Sequence, residues 1–109
     1  MNALHAAATR QAREAAHFDK LALETGEIWW GSVTPAGVER LGRRACMIQK
    51  LLSRFEDPFV LELGCGTGAL TKPLLELEPK LKLCGIDVSP RTRENISALL
   101  AEYTRASFE

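Results

Sequence analysis

The chain has 109 residues, room for one domain, and its 46% apolar and 26% charged content fits neither a wholly disordered chain nor a fibrous repeat. Fourteen basic and fourteen acidic side chains cancel, which removes any global electrostatic reason to bind nucleic acid or an anionic membrane. No apolar run approaches the roughly 18–20 residues that span a bilayer, so no membrane partner is expected.

Residues 3–25 are rich in Ala, Arg, Gln, Glu, Lys and Leu and read as a helix, with Gly26 placed to end it. Arg10, Arg13 and Glu14 interrupt the alanines, so this is not the apolar core of a signal peptide. A linker with Trp29, Trp30 and Gly31 follows. The two tryptophans suit packing anchors better than a lid. Thr34 then reads as an N-cap with Pro35 at the first helical position. The next helix carries Val38, Leu41, Ala45, Ile48, Leu52 and Phe55 in steps of three and four, which makes one apolar stripe. Arg40, Arg43 and Arg44 lie mainly off that stripe and read as a solvated face.

Asp57-Pro58 breaks the helix, and Phe59–Leu63 reads as a buried strand of a parallel sheet. A glycine-rich turn spans Gly64–Gly68. A helix starting near Leu70–Lys72 carries Leu74, Leu75 and Leu77, with Pro73 in its first turn and Pro79 closing it. A second strand is expected over Leu81–Asp87. Ser89-Pro90 repeats the cap-plus-proline signal, and a last helix is expected from about Arg91 to Ser107, with Ile96, Leu99, Leu100 and Tyr103 on one face. Strand, helix and strand make a right-handed βαβ crossover, hence an α/β chain. The expected organisation is a helical segment over residues 1–55 and a sheet-forming part over residues 56–109.

Chemistry concentrates in Glu62-Leu63-Gly64-Cys65-Gly66-Thr67-Gly68, followed by Gly85-Ile86-Asp87-Val88. Alternating glycines after a strand allow positive φ and close approach of a ligand to the backbone. Asp87, at the end of the adjacent strand, is placed to accept two hydrogen bonds from a ribose diol. Together they describe a site for a nucleoside-bearing cofactor at the carboxyl edge of a parallel sheet. Gly64-x-Gly66-x-x-Ala69 also meets the loose dinucleotide fingerprint, which keeps a nicotinamide-dependent oxidoreductase fragment as an alternative. Glu62 weighs against it, because a pyrophosphate does not favour a carboxylate nearby and a cationic ligand does. A non-catalytic nucleotide-binding or interaction module is the second alternative.

The pair E-L-G-C-G-T-G and G-I-D-V-S-P, one βα unit apart over roughly residues 59–100, resembles the class I S-adenosylmethionine-dependent methyltransferases. The resemblance implies a Rossmann-like parallel sheet, and a chain that stops after the second strand and its helix of a seven-stranded fold. It implies S-adenosyl-L-methionine as cofactor. Gly64, Gly66 and Gly68 would line its methionine and ribose parts, with Cys65 between them, and Glu62 would sit beside its amino-acid end. Asp87 would hold the ribose hydroxyls and Val88 would lie against adenine. His17-Phe18-Asp19-Lys20-Leu21-Ala22 is similar to the F-D-x-x-A segment that precedes the core of small-molecule methyltransferases. With the neutral charge, that segment gives the expectation of a small-molecule methyl acceptor and no nucleic acid. An isolated chain with uncovered sheet edges would bind cofactor weakly or not at all. No residue stands out as a catalytic base, His17 included. Cys46, Cys65 and Cys84 have neither disulfide nor zinc-site spacing, and His5 and His17 have no ligand neighbour. No metal is therefore expected, and a reducing, cytoplasmic compartment is.

Overall fold

A computed structural model describes residues 3–24 and 33–109, with side chains of the first helix described from Thr9 onward. The side chain of His5, and Gly26, Trp29, Trp30 and Gly31 altogether, lie outside what is described. The elements are α1 (Ala3–Glu24), α2 (Pro35–Leu52), β1 (Phe59–Leu63), α3 (Thr71–Leu77), β2 (Lys82–Ile86), α4 (Pro90–Leu99) and β3 (Ala106–Phe108). The three strands form a parallel sheet in the order β1-β2-β3. This is the α/β, Rossmann-like arrangement read from the sequence.

Local chemistry sets the element boundaries. The Thr34 hydroxyl accepts the Gly37 amide at 3.1 Å and the Ser89 hydroxyl accepts the Thr92 amide at 3.1 Å, each ahead of a proline in the first helical turn. Helix α2 ends three residues before Phe55, because Ser53 caps it and its hydroxyl donates to the Lys50 carbonyl at 2.7 Å. Phe55 therefore leaves the stripe and is exposed, as is Val38, while Ala45 is buried and Ile48 and Leu52 pack on the core.

The expected long last helix is corrected. Helix α4 stops at Leu99, and residues 106–108 form a third strand beside β2. Leu100 is buried at the turn. The Arg105 guanidinium ties the reversal down by donating to the carbonyls of Leu75, Glu78 and Leu81 at 3.0, 3.0 and 2.8 Å. The Phe108 ring then lies over Gly85, where a Cβ would stand 2.6 Å from it. Side-chain-free Gly85 and the three-carbonyl anchor outweigh the helical tendency of the segment, so the sheet does not stop at its second strand.

Val60, Leu83 and Ala106 stand in register on the face that meets Leu74, Leu75, Leu81, Ile96 and Leu100, and this is the core. Helix α2 packs on α3, and α1 packs on α4. Strand β1 departs from the buried strand expected. Phe59, Leu61 and Leu63 point to the other face, which no described helix covers, and all three are more than half exposed. Being at the sheet edge with one bare face, β1 is buried on a single side.

Candidate functional site

The turn after β1 is held by the end of β2. The amides of Gly64 and Cys65 both donate to the Ile86 carbonyl, at 2.7 and 3.2 Å. Gly64, Gly66 and Gly68 adopt φ of 71°, 55° and 79°, a region L side chains enter only with strain. These three are the described residues that do so. A Cβ at Gly64 would meet open space, and one at Gly66 only the Gly64 carbonyl at 4.0 Å. Gly68 differs. It is buried, and a Cβ there would stand 3.2 Å from Ile96 and 3.4 Å from Leu100. Gly64 and Gly66 thus face the site, while Gly68 lets α4 pack against the turn.

Asp87 closes the arrangement. Its Oδ2 accepts the Gly66 amide at 3.0 Å and its Oδ1 accepts the Ser89 amide at 3.0 Å. A carboxylate offers about four lone-pair positions, so each oxygen keeps one for a further donor. The structure thus brings the glycine turn and the carboxylate one crossover away into direct contact. Both line a cavity of about 310 Å3, together with Leu63, Ile86, Val88 and Thr92. That size lies at the lower end of small-molecule sites.

Glu62 lies on the core side of β1, beside Gly85 in the register. The Thr71 hydroxyl, fully buried at the start of α3, donates to Glu62 Oε2 at 2.7 Å. Burial pushes the Glu62 carboxyl above its ordinary value, and the Thr71 hydrogen bond partly opposes this. Cys65 is buried beneath Gly85. Burial, with the nearby carboxylates of Asp87 and Glu62, pushes its thiol up to about 11. A thiol held neutral is a packing group, not a nucleophile.

The site also contains residues that local sequence reading did not find. Phe18, Leu21 and Ala22 of α1 line the far wall of the Asp87 cavity. Asp19 locks α1 to the start of α4: its Oδ1 accepts the Ser89 hydroxyl and, at 3.0 Å, the Arg91 amide. These contacts join positions 70 and 72 residues apart, which no local spacing reveals. The F-D-x-x-A segment was the one trace of them. His17 is exposed and packs edge-on against Phe18, with ring centroids 5.4 Å apart.

Comparison with known proteins bears directly on this geometry. A family model described as a methyltransferase domain matches residues 61–109, the stretch that holds the glycine turn, Asp87 and β3. Over that stretch the chain is similar to a methyltransferase domain. Three relatives indicate the range of proteins similar to it. A tRNA N(3)-methylcytidine methyltransferase of Schizosaccharomyces pombe is 56% identical over 32 residues, 29% of this chain and 13% of the relative. A malonyl-[acyl-carrier protein] O-methyltransferase of Anoxybacillus flavithermus is 38% identical over 58 residues, 51% of this chain and 22% of the relative. A ribosomal RNA small subunit methyltransferase C of Yersinia pseudotuberculosis is 36% identical over 86 residues, 69% of this chain and 25% of the relative. The matched stretch is thus a quarter or less of each of these proteins.

Two of those names overturn an expectation. A small-molecule acceptor with no nucleic-acid partner does not stand beside relatives named for tRNA and ribosomal RNA. The neutral net charge described these 109 residues only, and the matched part of each relative is too small for its charge to represent the whole. Members of the family typically use S-adenosylmethionine as methyl donor. No described helix is long and apolar enough to cross a membrane.

Proposed function

We propose that the chain holds S-adenosyl-L-methionine for methyl transfer, with residues 56–109 as the first part of the cofactor-binding domain and the helices of residues 1–55 flanking it. The contact between Asp87 and the Gly66 amide supports this reading, because a carboxylate and a side-chain-free turn meet at one cavity. The fit is specific in two respects. The Cβ positions of Gly64 and Gly66 open onto free space, so a ligand can lie on bare backbone. Asp87 keeps one acceptor position on each oxygen, the number a vicinal diol requires.

In this reading Asp87 orients the ribose and Val88 lies against the adenine. Gly64 and Gly66 carry the linking part, with Cys65 as packing beneath them and Gly68 holding the turn on α4. Glu62, fixed through one oxygen by Thr71, presents its other oxygen to the cofactor's ammonium. When bound, the cofactor supplies a methyl group on a positive sulfonium, open to direct displacement. The chain's own contribution is positioning, since holding donor and acceptor in line at attack distance supplies much of such a reaction's acceleration. The relatives are named for tRNA, ribosomal RNA and an acyl-carrier-protein acceptor, so the shared segment fits the donor side and RNA is admitted as an acceptor. The free thiols Cys46, Cys65 and Cys84 support a reducing, cytoplasmic compartment.

Isothermal titration of the full chain with S-adenosylhomocysteine and with NAD tests the reading. Binding of S-adenosylhomocysteine alone is expected. Binding of NAD in its place returns the site to the nicotinamide alternative, and binding of neither leaves an interaction module.

A further inference from the structure

The balance of fourteen basic and fourteen acidic side chains hides an uneven distribution. Residues 1–55 carry eight basic and five acidic side chains, and residues 56–109 carry six and nine. The positive excess concentrates on α2 and the turn after it. Residues 35–54 hold Arg40, Arg43, Arg44, Lys50 and Arg54 against Glu39 alone.

Helical spacing sorts these groups. Ala45, Ile48 and Leu52 turn one side of α2 to the interior. Arg40, Arg43, Met47, Lys50 and Arg54 follow one another in steps of three and four on the opposite side, and all five are exposed. That stripe is about 20 Å long. Its charge is not cancelled from within. Of its four cations, among the described residues, Arg43 alone meets a carboxylate, that of Glu39 at 4.0 Å, and an ion pair so exposed is weak. Arg40 carries the stripe to the candidate site. With Arg44 it lines a cavity of about 340 Å3 whose walls include Gly64 and Gly66 of the glycine turn.

We propose that this face of α2 is a docking surface for the phosphate backbone of an RNA acceptor. The proposal rests on the reading above, which admits RNA as an acceptor, and it gives that acceptor a track leading to the turn. Guanidinium groups meet phosphate oxygens through paired N–H donors, and a lysine adds a point charge. Such contacts set the register of an RNA without reading its bases. An anionic membrane fits this face less well. A helix that lies in a bilayer surface inserts an apolar face, and the apolar side of α2 is already packed on α3 and the core.

The experiment titrates a fluorescent single-stranded RNA of about 16 nucleotides with the full chain and follows anisotropy between about 50 and about 200 mM salt. Two triple variants remove equal charge. One is Arg43→Gln/Lys50→Gln/Arg54→Gln on the stripe, the other Lys72→Gln/Lys80→Gln/Lys82→Gln at exposed positions elsewhere. S-adenosylhomocysteine is titrated into each protein separately. None of the three stripe positions lines this cavity or the Asp87 cavity, so its affinity should stay unchanged and report an intact fold. The full chain should bind the RNA. The stripe variant should bind it roughly tenfold or more weakly, and its slope of log affinity against log salt should be shallower by about 2, as expected for the loss of three phosphate contacts. The other variant should bind as the unsubstituted chain. Equal weakening in both variants overturns the surface, because net charge alone then matters. A full chain that binds S-adenosylhomocysteine and no RNA also overturns it and leaves the cofactor reading standing. So does binding to phosphatidylserine vesicles that the stripe variant loses while keeping its RNA affinity, which assigns the face to a membrane. RNA binding lost in the stripe variant of a chain that never binds S-adenosylhomocysteine upholds the surface and overturns the cofactor reading.

Discussion

The Gly66 amide donates to Asp87 Oδ2 at 3.0 Å across 21 residues of chain, so the carboxylate that faces the cavity also fixes the turn that forms its floor. With the second bond, from the Ser89 amide, Asp87 ties β1, β2 and α4 at a single point. Asp87→Ala should therefore act twice. Binding of S-adenosylhomocysteine should weaken by about 1.5–3 kcal/mol, the range for hydrogen bonds to a charged group, and the chain should unfold at lower denaturant concentration because two amides lose their acceptor. Asp87→Asn keeps one acceptor oxygen and should fall between the two on both counts. Titration and urea unfolding measure the two effects separately. Unchanged affinity in a destabilised Asp87→Ala chain would leave the residue a purely structural tie.

The three glycines of the turn should separate by function. Gly66→Val places a branched side chain at φ 55° in the cavity, so it should abolish cofactor binding. Gly68→Ala meets Ile96 at 3.2 Å from within the core, so its main effect should be on stability. Leaving the left-handed region strained costs about 1–2 kcal/mol in either variant, and the contact with Ile96 adds to it at position 68. Adding Ile96→Val, which shortens that side chain, should recover part of the stability lost in Gly68→Ala. Equal loss of binding and stability in both variants would remove the distinction.

Much of this was legible because it is local. The two Thr/Ser-Pro caps, the apolar run of β1 and the glycine turn each advertise themselves within five residues, and each forms where expected. What escaped depends on partners distant in sequence. Residues 106–108 form a strand because Arg105 reaches carbonyls 24 to 30 residues earlier and Phe108 needs the bare face of Gly85. Thr71 reads as an ordinary helix-start residue until Glu62 is seen to need its hydroxyl. Gly68 looks like its two companions until Ile96 and Leu100 are placed against it. Net charge gave no sign of relatives named for tRNA and ribosomal RNA, because it averages over all 109 residues and does not report a local surface.

Asp19 makes the closure of α1 over the cavity testable by pH. The Ser89 hydroxyl and the Arg91 amide, both donating to its carboxylate, hold its pKa below the ordinary value of 3.8. A lowered folded value means that the stabilising contribution is fully present above pH 3.8 and is lost as pH falls from there through the folded pKa. Docking of α1 on α4 should thus be constant from neutral pH down to about 4 and weaken below it. Asp19→Asn should show the weakened state at neutral pH, seen as faster hydrogen exchange of the Arg91 amide and faster release of S-adenosylhomocysteine. Slow exchange at Arg91 in the Asn variant would show that apolar contacts of Phe18, Leu21 and Ala22 hold the helix unaided.

Cys65 offers a check on the interior of the turn. Burial is the largest cause of its raised pKa, followed by the carboxylates of Asp87 and Glu62, and together they set it at about 11. At pH 8 its thiolate is then roughly a thousandth of the total, against about a quarter for an ordinary thiol with pKa near 8.5. Iodoacetamide at pH 8 should modify exposed Cys46 and leave Cys65 intact, as read by peptide mass spectrometry. Unfolding in urea should make the two react alike, since both burial and the neighbouring carboxylates are then gone. Removing one cause at a time tests their order. Asp87→Asn deletes a lesser contribution and should raise Cys65 labelling only slightly, whereas a substitution that opens the core beneath Gly85, such as Phe108→Ala, should raise it much more. Strong labelling in Asp87→Asn with little in Phe108→Ala would reverse that order and make the carboxylate, not burial, the main restraint on the thiol.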